Sequence, residues 1–125
     1  MEQLIVMNSI EHNHADCSHA FAESDLAEAA QSVTPQQFEL AATMCHAMSD
    51  ASRLRLLLWL SRREMCVSEL VALDQAKLTS VSARLQMLHA ARLVTRRREA
   101  KHIYYALADE HVRALLANIL NHASE

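Results

Sequence analysis

Residues 66–94 read CVSELVALDQAKLTSVSARLQMLHAARLV, and this stretch decides the fold. Its first part, CVSELVAL, has the apolar content of a short helix. Residues 74–77 are polar and break the pattern. The apolar positions then resume at Val81, Leu85 and Leu88, spaced four then three, which is helical spacing. Two short helices joined by about four polar residues form a helix-turn-helix pattern. The next residues, LVTRRREAKHIYYAL (93–107), change character. Val94, Thr95, Ile103, Tyr104 and Tyr105 favour strands, and Glu99-Ala100 stands where a hairpin must reverse.

Outward from this centre the chain is helical. TPQQ (34–37) is a helix start, with Thr34 as cap, Pro35 at the first helical position and Gln37 closing a capping box. That helix is expected to run to about Met48, with Phe38, Ala41, Ala42 and Cys45 on one apolar face and Cys45 in the core. Ser49 or Asp50 caps ASRLRLLLWLSR (51–62), whose Leu54, Leu57, Leu58 and Trp59 are core candidates. A short helix is expected over 20–31, and a final helix starts near Asp109. Residues 1–19 lack helical periodicity and read as a flexible arm carrying His12, His14, Cys17 and His19. The fold class is therefore mainly α with a small β-hairpin, a winged helix-turn-helix domain over 20–125 behind an arm over 1–19.

Composition narrows the function classes. The chain has 125 residues, no glycine and one proline, so it has few loops from which to build a catalytic pocket. A zinc hydrolase also needs an open coordination position, and the reading is of a protein that is not an enzyme. Three cysteines without paired spacing point to reduced thiols. No apolar run approaches the roughly 20 residues of a membrane span, and no signal pattern opens the chain, so a cytoplasmic location without membrane contact is expected. The net charge of −3 hides an asymmetry. Residues 1–50 carry eight acids and neither Lys nor Arg, while all twelve Lys and Arg lie between Arg53 and Arg113. Only the second part suits a polyanion.

A helix-turn-helix presents the N-terminal residues of its second helix to base edges in the major groove. Here that end offers Thr79, Ser80, Ser82, Arg84 and Gln86. Short hydroxyls permit close approach, and Arg and Gln are long enough to reach a base. The hairpin adds Arg96, Arg97, Arg98 and Lys101, a basic wing suited to phosphates. The alternative is a solvated helix with an ordinary exposed hairpin. The wing also counts against a metal buffer with no nucleic-acid partner.

SDASRLRLLLWL (49–60), EMCVSEL (64–70), SVSARLQML (80–88), ARLV (91–94), and HIYYAL (102–107) followed by DEH (109–111) together resemble the ArsR/SmtB family of bacterial metal-sensing repressors. The resemblance covers roughly residues 35–125. It implies a homodimer that binds double-stranded operator DNA at an inverted repeat and releases it on binding metal, with dimerisation helices at both ends of the domain. The family often has Gly in the wing turn and before Leu-Val. Ala100 and Ala91 occupy those places here, and a longer or looser wing turn is expected.

The last helix holds His111 and His122 eleven residues apart, nearly on one face and about 16 Å from each other. Zinc–imidazole bonds are about 2 Å, so one ion cannot bind both within one helix. Two copies packed antiparallel about a two-fold axis near Leu116 and Ala117 would set residue 111 against residue 122. Each of two identical sites would then draw Asp109 and His111 from one chain, and His122 and Glu125 from the other. Two imidazoles and two carboxylates suit Zn(II), with Co(II) as a mimic. The spacing is similar to the C-terminal-helix zinc site of SmtB-like sensors, and those roles carry over to these four residues. The alternative is that Asp109 only caps the helix and both histidines are surface points.

A second constellation joins His14, Cys17 and His19 of the arm to Cys66 and Glu69. Some relatives link the arm to the first helix of the helix-turn-helix through a metal, and a thiolate-rich version selects Cd(II) or Pb(II). Cys66 matches the first Cys of the family's Cys-Val-Cys pattern, whereas Ser68 replaces the second. Zinc at this site, thiol or redox sensing through Cys17 and Cys66, and Cys66 as a buried small hydrophobe all stay open.

Overall fold

The computed structural model describes residues 23–125. The arm, with His12, His14, Cys17 and His19, lies outside them. The chain divides into two compact units, residues 1–34 and 35–125. The first contains helix α1 (Glu23–Gln31). The second contains α2 (Pro35–Ala47), α3 (Ala51–Arg62), β1 (Met65–Cys66), α4 (Val67–Asp74), α5 (Leu78–Ala90), β2 (Val94–Glu99), β3 (His102–Leu107) and α6 (Glu110–Ala123). No helix among the described residues is long and apolar enough to cross a membrane.

Helix α2 begins at Pro35, whose missing N–H costs nothing at a first helical position. Only its C-terminal end is tied into the core, through Ala47 and the following Met48. Cys45, expected in the core, is exposed, as are Phe38, Ala41 and Ala42. The apolar face is present, but none of the described residues of the 35–125 unit covers it.

Asp50 caps α3, its Oδ2 accepting the Arg53 N–H at 3.1 Å and the Ser52 hydroxyl. Leu56, Leu57 and Leu60 are buried, each worth roughly 1.5–3 kcal/mol relative to exposure. Leu54, Leu58 and Trp59 are half-buried, and Leu54 and Trp59 pack on the edge of the core. The expected core face is thus turned. The stripe at positions 56, 57 and 60 wins because a long leucine run offers several overlapping stripes.

Helices α4 and α5 form the expected pair around the 75–77 turn. The Glu69 carboxylate accepts the Cys66 N–H at 3.0 Å and closes the start of α4. Leu70, Val81, Leu85 and Leu88 are fully buried between the helices and the sheet. Helix α5 ends in a Schellman motif. Leu93 N–H donates to Leu88 O at 3.0 Å, and Arg92 N–H to His89 O at 3.0 Å. The residue that turns left-handed there is Arg92 (φ 65°), not Ala91.

Strands β2 and β3 pair antiparallel from Val94↔Leu107 to Glu99↔His102. The wing turn is therefore the two residues Ala100 and Lys101, tighter than expected, with Ala100 at φ 57° taking the left-handed step. β1 adds to the far edge of β3 through Met65↔Tyr105 and Cys66↔Tyr104, giving the order β1-β3-β2. This two-residue strand was not expected, because its pairing is long-range and leaves no local pattern. Tyr105 is buried and Tyr104 half-buried. Helix α6 closes the unit by burying Val112 and Leu116 against α3 and β3.

A left-handed residue with a Cβ costs about 1 kcal/mol relative to glycine, and this glycine-free chain places three there among the described residues: Gln75, Arg92 and Ala100. Ala100→Gly is expected to raise stability by about 0.5–1 kcal/mol, read as a higher urea midpoint at constant m-value.

Candidate nucleic-acid interface and metal site

With Val81, Leu85 and Leu88 turned inward, α5 presents Thr79, Ala83 and Gln86 outward. Ser80 and Ser82 are half-buried on its flanks. Ala83 was not singled out from sequence, although its helical offset from Gln86 marks the same face. Arg84, expected to reach a base, does not stand free. Its Nη1 lies 3.4 Å from Asp74 Oδ2, and its side chain is 28% exposed. The outward face of α5 is thus short, hydroxylated and uncharged. Cations stand at its two ends instead, as Lys77 and Arg92, both exposed and without an ion-pair partner among the described residues. Neither was identified from sequence. Both lie just outside the periodic apolar run, which is the signal that could have found them.

The wing divides its arginines by strand alternation. Arg96 and Arg98 point to one face and, with Lys101 in the turn, have no ion-pair partner among the described residues. Arg97 points to the other. It donates to both Glu64 oxygens at 2.7 and 2.8 Å and to Glu99 Oε1 at 2.6 Å, and its guanidinium lies 4.7 Å from the Tyr104 ring centroid. Arg97 fastens the wing to the segment before β1. A solitary reading of three consecutive arginines could not separate this one.

The C-terminal residues are arranged as two pairs. Asp109 is the N-cap of α6, with extended backbone, and its Oδ1 accepts the Val112 N–H at 3.1 Å. Its Oδ2 is left facing His111 Nδ1 at 3.7 Å. At the other end His122 Nδ1 lies 3.5 Å from Glu125 Oε1. All four side chains are exposed, His111 at 96%. Between the pairs, on the same outer face, Leu115 is 43% exposed and Ile119 40%. Donors around a tetrahedral ion with bonds of about 2 Å sit about 3.3 Å apart, so each pair fits half of such a set. No three candidate ligands converge within the described residues of one chain.

Cys66 and Glu69 are differently placed. Cys66 is buried, with Sγ 3.2 Å from the Ser68 hydroxyl. Glu69 is committed to the Cys66 N–H and to Arg63 at 2.9 Å. Their proposed partners His14, Cys17 and His19 lie outside the described residues.

Two helices around a tight turn, the second with a short uncharged outer face, and a hairpin wing with free cations on one side define a winged helix-turn-helix DNA-binding domain. A family model described as bacterial regulatory protein, arsR family, matches residues 50–96. A transcriptional repressor SmtB homolog from Synechocystis is 42% identical over 79 residues, covering 63% of this chain and 60% of that protein. A cadmium resistance transcriptional regulatory protein CadC homolog from Staphylococcus aureus is 31% identical, covering 63% of this chain and 66% of the other. The alignments thus span under two thirds of the length of these curated relatives. Among solved structures, a fragment of a possible transcriptional regulatory protein from Mycobacterium bovis is 33% identical, with a TM-score of 0.67, covering 70% of this chain and 95% of that one. Its solution structure is described as a homodimeric winged helix-turn-helix DNA-binding domain (28% identity, TM-score 0.67, 86% of this chain and 92% of that one). The chain belongs to the ArsR family of bacterial regulatory proteins. The relatives are transcription regulators rather than enzymes.

Three carboxyls are held below the usual carboxylate range. The Ser52 hydroxyl and the Arg53 N–H lower Asp50, Arg97 lowers Glu64, and Arg63 with the Cys66 N–H lowers Glu69. Such groups bind fewer protons folded than unfolded. Their stabilisation is present above the unfolded value and lost as the pH falls through the folded one. The urea midpoint is expected to fall once the pH drops below about 4, and to fall less in Asp50→Asn, in a titration read by circular dichroism.

Proposed function

We propose that the chain is a metal-responsive transcriptional repressor that binds operator DNA as a homodimer and releases it when Zn(II), or a similar divalent ion, occupies a site shared between two C-terminal helices. The observation that carries this reading is the outer stripe of α6. It has a histidine–carboxylate pair at each end, 3.7 and 3.5 Å apart, with exposed Leu115 and Ile119 between them. A second copy running antiparallel would cover the two apolar side chains and bring one pair to the other. Asp109, His111, His122 and Glu125 are then the donors. The ion would supply positive charge that four partly anionic donors can share across the interface. The names of the relatives, a repressor and a cadmium-resistance regulator, support the same class.

On this reading Thr79, Ser80, Ser82, Ala83 and Gln86 meet base edges. Lys77, Arg92, Arg96, Arg98 and Lys101 meet phosphates, and Arg84 and Arg97 belong to the scaffold. Two recognition helices of a dimer would enter successive major grooves of an inverted repeat, about 34 Å apart. Occupancy of the four donors and operator binding oppose each other through one coupling free energy, which acts equally in both directions.

Saturating Zn(II) is expected to weaken operator binding by about 5–150-fold in the parent and not at all in His111→Ala, measured by fluorescence anisotropy on an operator duplex. A parent chain whose affinity ignores Zn(II) would overturn the sensor reading. Leu115→Glu, placing a charge in the proposed contact, is expected to weaken dimerisation by on the order of 30-fold in sedimentation equilibrium.

A further inference from the structure

The geometry points to Asp74 as the residue that positions the recognition helix and withholds Arg84 from DNA, an inference that rests on the DNA-binding reading above. Asp74 is the last residue of α4, and its side chain is 1% exposed. Its two oxygens serve different helices. Oδ1 accepts Arg55 Nε of α3 at 3.2 Å, and Oδ2 accepts Arg84 Nη1 of α5 at 3.4 Å. One carboxylate therefore ties together the three helices that set how α5 projects.

Few side chains help to fix this turn: α4 is closed by the Gln75 backbone N–H, which donates to Val71 O at 2.9 Å. Gln75, at the corner, is left-handed without being glycine. Lys77 occupies the N-cap of α5 and supplies no side-chain acceptor to it. The apolar contacts of Leu70, Val81 and Leu85 hold the helices together, but they are non-directional. A buried ion pair adds little net stability, because desolvating the charges offsets their attraction. What it does supply is direction, since the Asp74 carboxylate, 1% exposed, would be strongly unfavourable there without its arginine partners.

The same contact has an electrostatic consequence. Arg84 stands one turn beyond Ser80 on the flank of the presenting face, within reach of a DNA backbone if it were released. Held by Asp74, which it shares with Arg55, its guanidinium is tied to an internal anion. The outer face of α5 then reads bases with neutral groups, and phosphate attraction comes from the helix ends and the wing.

The test measures affinity against salt for a duplex selected from a random pool by the parent chain, and for a scrambled duplex of the same composition. Each phosphate contact contributes roughly one unit to the slope of log affinity against log salt. Asp74→Asn is expected to free Arg84, steepen the slope by about 1, and lower the selected-to-scrambled affinity ratio by about tenfold. Arg84→Gln is expected to leave the slope unchanged, and the double variant to return to the parent slope. General destabilisation would lower affinity without this reversal. A parent that binds, together with an Arg84→Gln slope shallower by about 1 and an Asp74→Asn slope equal to the parent's, overturns this inference alone. A parent that binds neither duplex in a salt-dependent way overturns the DNA-binding reading and this inference with it.

Discussion

Leu56, Leu57 and Leu60 give helix α3 a face without water, and α4, α5, α6 and β3 all pack on this helix. Its polar positions reach outward in turn. Arg53 donates to Ala47 O at 2.6 Å and to His46 O at 3.3 Å, holding the end of α2. Arg55 holds Asp74 and, through it, α5. Ser61 O accepts from Arg113 of α6, whose other contact is Glu110 at 3.1 Å. The helix proposed to face DNA and the helix proposed to face an ion thus never need to touch. Both are seated on the same rigid member, and a shift of either against α3 would be felt through close-packed leucines that deform poorly.

Much of this was legible in the residues because the deciding signals are local. Pro35 opens α2, Asp50 caps α3, the polar 74–77 stretch separates α4 from α5, and Asp109 caps α6. Each is a backbone requirement met by one side chain. The misreadings concern what lies beyond a residue's own segment. A leucine-rich helix does not announce which of its stripes is covered, so Leu54, Leu58 and Trp59 were preferred to Leu56 and Leu60. Cys45 sits on an apolar face, but no described element of the 35–125 unit covers it. Arg84 and Arg97 look like any other arginine until Asp74 and Glu64 arrive, the latter from thirty-three residues away.

The histidine–carboxylate pairs of α6 illustrate both sides. Spacing alone placed His111 and His122 on one face and showed that one helix could not bring them together. Two residues of regular helix would set Asp109 on the opposite side from His111, so the same spacing requires Asp109 to sit at or before the cap. Asp109 is that cap. With extended backbone at Asp109, one oxygen holds the Val112 N–H and the second turns toward the imidazole.

Arg92 carries a tension that no other corner has. Its backbone closes the Schellman motif in a conformation that glycine adopts without steric penalty. Its side chain stands between the recognition helix and the wing, where a positive charge favours an approaching polyanion. The steric optimum and the electrostatic optimum at this position are different amino acids. An adaptive path toward greater thermal tolerance would run through glycine here and surrender the proposed phosphate contact on the way, so the position links robustness to duty in opposite senses.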